Sequence, residues 1–335
     1  SQWNLSDAQF LKLTVDYFNE GQDPDAVDLT KAGSVFNQPI TDKETDNLSL
    51  VLDHGIAPNA PWVDRIDSKL YYARTKQTMD QYASSKYPVR PTNPYVTKNS
   101  LDNNGFEQKS LGAQLKFSKA LASQRLAWGL EYEHTDNERT RFKAPTVPGD
   151  FVGYNELSFP STTTEHGALW AFDELKFGER WVLTPGARYD YYRMNPDQDP
   201  AYTGENLKRF SEGEFSPKLG LVFKAHEAAN LFAQYSHGYK TPMYDNAFST
   251  LNHQAYGYRI EPNPNLKPES SDGIDLGVRG SAGGFSYEVA TFYNKFEDFI
   301  ELAGVGTEGR TALYQYQNLD KATTKGAEAK ADYWL

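Results

Sequence analysis

One feature constrains this chain more than any other: apolar and polar residues alternate with a period of two, over segments far longer than ordinary strands. Leu11, Leu13, Val15 and Tyr17 alternate with Lys12, Thr14 and Asp16. Leu126, Trp128, Leu130 and Tyr132 alternate with Ala127, Gly129, Glu131 and Glu133, and Trp181, Leu183, Ala187, Tyr189 and Tyr191 with Thr184, Gly186, Arg188 and Asp190. The pattern returns over 215–224, 274–279 and 285–294. Successive side chains of a strand point to opposite faces, so such a run is a strand with two unlike faces. Strands of soluble sheets usually run about 5–6 residues. Runs of about ten or more are long enough to cross a bilayer at a tilt.

The connections are asymmetric. Short links at Ala57–Pro61, Ala120–Gln124, Gly178–Arg180, Ala225–Ala229 and Gly280–Gly284 alternate with long polar links near 19–43, 84–105, 135–164, 195–214 and 242–268, and a shorter one near 303–312. Transmembrane barrels show this sidedness, with tight turns at one end and long loops at the other. The pattern predicts an all-β, transmembrane antiparallel β-barrel wall of twelve strands, over 8–19, 44–56, 62–82, 106–120, 124–136, 165–177, 180–194, 215–225, 229–240, 269–280, 284–301 and 313–335. Trp181, Leu183 and Tyr189 should face lipid, with Arg188 and Asp190 facing the lumen. A one-residue slip would carry both charges into hydrocarbon, so the register is firmly specified.

Composition agrees. Mean hydropathy is −0.70, with Tyr 22, Phe 19 and Trp 6. A barrel with a polar lumen reads hydrophilic overall, and this aromatic content is too high for a disordered chain. No run approaches the roughly 18 apolar residues of a spanning helix. A net charge of −11 argues against nucleic acid as a partner. Zero cysteine excludes a disulfide scaffold, a thiolate metal site and a cysteine nucleophile. The chain starts within the pattern at Ser1 and is read as a mature product or a fragment. Alternation alone leaves a soluble β-rich surface protein as the competing reading.

Several strings look chemical and are better explained by structure. Gly304-Val305-Gly306-Thr307-Glu308-Gly309 matches a dinucleotide fingerprint, but no helix or βαβ unit follows, so a glycine turn between strands is expected. His54, His134, His166, His226, His237 and His253 form no HExxH pair and read as solvated strand-end residues. Asp23, Asp25 and Asp28, like Asp197 and Asp199, lack the pattern of a calcium loop. No GxSxG elbow occurs.

The specific signal is Tyr239-Lys240-Thr241-Pro242, followed after a tyrosine-rich loop by Asn263-Pro264-Asn265-Leu266 and then Lys267-Pro268-Glu269. The pair resembles the FRAP and NPNL boxes of TonB-dependent outer-membrane haem and haemoprotein receptors. The second box matches to the letter, whereas the first keeps only Pro242. Gly186-Ala187-Arg188-Tyr189-Asp190 resembles the GxRYD strand of the same superfamily, and Lys325-Gly326-Ala327-Glu328 its KGxE strand. The resemblance implies a location in the outer membrane of a Gram-negative bacterium, in contact with its lipid. It also implies a barrel of roughly 22 strands which, at about 28 residues per strand, needs roughly 600 residues. Residues 1–335 would then be part of one barrel domain, with plug, TonB-contacting segment and outer strands outside this chain.

The resemblance further implies binding and transport rather than catalysis, with haem as cargo and no catalytic cofactor. Partners would be haem, a haemoprotein or a haemophore, and the TonB complex. In such receptors one axial ligand of haem iron comes from the loop between the boxes and the other from the plug. Imidazole and tyrosinate both serve haem iron. The loop candidates are Tyr244, His253, Tyr256 and Tyr258, with His253 or Tyr256 as the expected axial ligand. Lys240, Arg259 and Lys267 are the local cations for the propionates. A receptor for a ferric siderophore or other cargo, and a self-contained outer-membrane barrel enzyme or adhesin, are the alternatives.

Overall fold

The computed structural model describes residues 1–22, 40–58, 60–89, 93–145, 153–202, 204, 207–253 and 257–334. Twelve long strands follow one another through one sheet. The first six are β2 (Gln9–Gln22), β3 (Ile40–Ile56), β4 (Arg65–Val89), β5 (Asn93–Ala120), β6 (Gln124–Pro145) and β8 (Thr162–Phe177). The second six are β9 (Trp181–Pro196), β10 (Phe210–His226), β11 (Ala229–Lys240), β14 (Glu269–Ala282), β15 (Phe285–Glu308) and β16 (Thr311–Tyr333). Each pairs antiparallel with the next in this order, as in an up-and-down barrel wall. A short strand β1 (Gln2–Ser6) flanks β2, β7 (Tyr154–Asn155) lies on β6, and β12 (Leu251–His253) with β13 (Tyr258–Glu261) forms a hairpin between β11 and β14. Among the described residues β1 and β16 are not paired with each other, so the described sheet is open.

All twelve expected strands are present, and several run further than the apolar pattern does. A loop was expected over 84–105, yet the β4–β5 ladder continues through Ala83↔Ser100 to Val89↔Asn93. Likewise β6 continues to Pro145 and β15 to Glu308. Beyond the apolar band no lipid imposes an alternation, so the period fades while the ladder continues to satisfy the backbone. Gly304 and Gly306 accordingly lie in β15, at a register shift, and only Gly309 is in the turn. β1 escaped notice because five residues are too few to show a period.

The two faces divide as the alternation requires. Trp181, Tyr189 and Tyr191 are 44%, 46% and 43% exposed, while Asp190, between the two tyrosines, is 3% exposed. Leu13, Val15, Leu130, Leu169, Leu219, Ile274 and Leu276 lie exposed on the same apolar face. A band this large fits lipid, not water.

Turns at the short-link end are tight. Gly283 and Gly284 both adopt positive φ (58° and 81°), the two-residue geometry that matches strand twist. Gly112 serves a different purpose. A Cβ there would sit inside the Tyr71 ring, and the ring must lie flat across it for the Tyr71 hydroxyl to reach Glu133 at 2.5 Å. Gly112→Val is therefore expected to destabilise the wall by about 1–3 kcal/mol through overpacking. Thermal denaturation of the purified protein checks this, and an unchanged midpoint would contradict it.

Candidate functional site

At the loop end, described residues of the links 153–161, 197–202 and 241–253, with 257–268, converge on one apolar cluster. Its buried centre is Leu157, Met194, Tyr202, Phe210, Phe248 and Leu266. Met194 and Phe210 belong to the wall, and the other four are carried by loops. Backbone bonds knit the loops directly. Leu157 N–H donates to Ala201 O at 2.9 Å, Thr250 N–H to Ser158 O at 2.7 Å, and Asn263 N–H to Ala247 O at 2.9 Å. A one-turn helix α1 (Tyr244–Phe248) drives Phe248 into the centre, where the Tyr202 hydroxyl donates to Phe248 O at 2.8 Å.

Burial pushes the Tyr202 phenol up to about 12, because its charged form would be poorly solvated. Its native value lies above the unfolded value near 10, so its stabilising contribution is complete below about pH 10 and is lost as pH rises through about 12. A phenolate absorbance titration should show Tyr202 ionising after the exposed tyrosines, and Tyr202→Phe should lower the amplitude of the late step by one phenol.

The two boxes take structural positions. Pro242 is fully buried where β11 leaves the wall. Leu266, 3% exposed, sits in the cluster. Asn263 Nδ2 donates to Tyr316 O at 2.8 Å, and Asn263 Oδ1 accepts from Asn265 N–H at 3.2 Å. Tyr239 and Lys240 end β11, with Thr241 and Pro242 following, and Lys240 Nζ lies 3.6 Å from Glu269. Arg259 pairs with Glu261 and with Glu308 at 3.0 Å, and its hydrogen bond to Glu261 raises its pKa further. Lys240 and Arg259, expected to meet an anionic cargo, are thus engaged within the protein.

Between the boxes the chain forms α1 and then the β12–β13 hairpin, which docks parallel on β16 with Tyr258 opposite Ala312 and Glu261 opposite Gln315. Tyr244 is at the start of α1, its ring edge-on to Phe159 at 5.2 Å, with Arg139 beside its hydroxyl. Arg139 also stacks 4.7 Å and 4.0 Å from the Phe106 and Phe159 rings, so Tyr244 belongs to the packed base of the cap. His253 ends β12, directly opposite Tyr258 in the hairpin register. Tyr258 stands edge-on to Tyr314, with ring centroids 6.4 Å apart. Tyr256 lies outside the described residues.

Below the cap, the polar face carries a connected network. Glu131 accepts from Trp170 Nε1 and from Arg188 Nη2, both at 2.9 Å. Arg188 Nε donates to Asp190 at 2.9 Å, and His166 Nε2 is 2.8 Å from the same carboxylate. On the same face, the Tyr71 hydroxyl of β4 donates to Glu133. Two histidines expected to be solvated at strand ends are therefore mid-network: His166 here, and His237, whose Nδ1 is 3.0 Å from Asp272 and whose Nε2 is 3.4 Å from Glu214. His237 lies where the β10–β11 ladder stops at Lys218↔Ser236, next to Pro217, which has no N–H to pair. Among the described residues no group of three or more His, Cys, Asp or Glu side chains could hold a metal ion.

Residues 2–335 match the family model described as TonB dependent receptor-like, beta-barrel. The chain belongs to this family. Among relatives of this receptor barrel, the hemoglobin-haptoglobin utilization protein B of Neisseria meningitidis serogroup A is 30% identical over 246 residues, 64% of this chain and 30% of that protein. The heme/hemopexin utilization protein C of Haemophilus influenzae is 25% identical over 306 residues, 78% of this chain and 40% of that protein. The solved Serratia marcescens hemophore receptor HasR, in complex with its hemophore HasA and heme, superposes with a TM-score of 0.70 at 18% identity, covering 100% of this chain and 51% of that one. Ferric enterobactin receptors match as well. The chain described here thus spans about 30–51% of the length of these three relatives. Its clustered Phe248 and Tyr202 and the amide of Asn318 escaped sequence reasoning, because none of them stands in a period or a motif.

Proposed function

We propose that this chain is part of an outer-membrane receptor of a Gram-negative bacterium that captures haem, free or from a haemoprotein or haemophore, and imports it with energy from the TonB complex. In the complete receptor further strands close the barrel, since unpaired sheet edges do not persist in hydrocarbon. The observation that carries the reading is the docked hairpin. Among the described residues between the FRAP-like and NPNL boxes, His253 lies opposite Tyr258 and β13 pairs with β16, on a wall whose relatives are named for haemoglobin and hemopexin use. A hairpin already paired to the wall presents a ligand to iron at lower ordering cost than a free loop. His253 is the first candidate because imidazole offers a lone pair at neutral pH, and Tyr256 is the second because iron must displace its proton. Tyr258 and Tyr244 follow, the last already committed to packing.

Haem itself is cargo and no bond of it is made or broken. What the chain contributes is capture, by a ligand carried on the docked hairpin. In the complete receptor, His253→Ala, Tyr256→Ala and Tyr258→Ala are compared by haem absorption spectrum and haem-dependent growth. The true ligand's loss should shift the spectrum and weaken uptake, whereas truncating a solvated loop residue stays within about 0.5 kcal/mol. Parent spectrum and uptake in all three variants would defeat the ligand assignment. The match to ferric enterobactin receptors supports a second reading, a ferric siderophore as cargo. Uptake of a ferric siderophore with indifference to haem would replace the first reading by the second.

A further inference from the structure

We propose that Asn318 of β16 is a positioning latch that fixes the register of the β12–β13 hairpin, and with it the placement of the residues between the two boxes. Asn318 lies outside both boxes and outside the loop itself. Its Oδ1 accepts from Lys267 N–H at 2.9 Å, its Nδ2 donates to Lys267 O at 2.9 Å, and the same nitrogen donates to Asp298 O at 2.7 Å. One amide thus makes the pair of bonds to Lys267 that a neighbouring strand's backbone would make. Its third bond meets β15 at Asp298, the one non-glycine residue with positive φ (54°) among those described.

The need for this arrangement comes from the box. The hairpin pairs along β16 from Tyr258↔Ala312 to Glu261↔Gln315. There Pro262, Pro264 and Pro268 interrupt the chain, and proline has no N–H to continue a ladder. Side-chain amides continue it instead. Gln315 Nε2 donates to Pro262 O at 2.8 Å, Asn263 Nδ2 donates to Tyr316 O at 2.8 Å, and Asn318 closes on Lys267. The open groove beside these residues is lined by Asn263, Gln315, Gln317 and Asn318, whose amides are committed to one another and to backbone, as in a clasp. Asn318 is the member with the most bonds, and only an amide can both donate twice and accept at this position.

Asn318→Asp keeps the shape and removes both donors; Asn263→Ala removes one bond of the same clasp and should act in the same direction, more weakly. The chain has no cysteine, so Arg259→Cys with Leu313→Cys, directly opposed in register, reports docking by disulfide trapping in outer-membrane preparations. Losing the two donated bonds should slow trapping by about tenfold, while Lys208→Ala, in the same groove, should leave it unchanged. Heat-modifiable mobility of the folded barrel shows that the wall is intact in each variant. Unchanged trapping in Asn318→Asp overturns the latch. The consequence for cargo rests on the haem reading: slowed trapping together with a shifted haem spectrum supports both, and slowed trapping in a receptor whose parent shows no haem spectrum keeps the latch and discards that reading.

Discussion

Phe248→Ala is expected to release the loop-end cap from the barrel wall. Phe248 is 1% exposed and is the largest fully buried side chain of the described protein. Truncating such a ring in a packed cluster removes its transfer energy and leaves a cavity, together about 3–5 kcal/mol. The cap is assembled from three loops that share this one cluster, so the loss should appear as local opening rather than as unfolding of the wall. Amide exchange across 241–268 should accelerate by about two to three powers of ten, while the strands of the wall keep their protection. Tyr202→Phe, which removes only the bond to Phe248 O, should cost about 1 kcal/mol. Equal exchange in parent and Phe248→Ala would show that the cluster does not hold the cap.

Arg188→Met should have the second-largest effect, and on the wall itself. It leaves Glu131 and the nearly inaccessible Asp190 without their shared cation. Removing one partner of a buried ion pair typically costs about 3–5 kcal/mol, and the one-third exposure of Arg188 reduces the expectation to about 2 kcal/mol. Arg188→Met combined with Asp190→Asn should recover part of the loss, because the orphaned charge is then gone. His166 remains beside position 190 in both variants. Denaturant unfolding of the protein in detergent, followed by tryptophan fluorescence, measures both. Trp170 donates to Glu131 and so reports the network directly. If single and double variants unfold at the parent midpoint, the pair contributes nothing to the wall.

Much of this protein follows from its sequence. The alternation through Trp181, Tyr189 and their neighbours gave the strand faces, and the alternating short and long links gave strand number and sidedness. Both signals are local: a strand crossing lipid must show an apolar residue at every second position, whatever its neighbours do. The boxes marked the loop that docks, though their residues proved to be packing and clasp elements, with Pro242 and Leu266 buried and Asn263 bonded to β16. Tertiary structure alone decided the rest. The β4–β5 ladder beyond Ala83↔Ser100 leaves no period, because backbone pairing outside the lipid imposes none. The parallel docking of the hairpin on β16, the three-loop cluster around Phe248, and the bonds from Asn318 to Lys267 join residues distant in sequence through single amides and single rings. A contact made once between far-apart residues writes no repeat into the chain, so only folding reveals it.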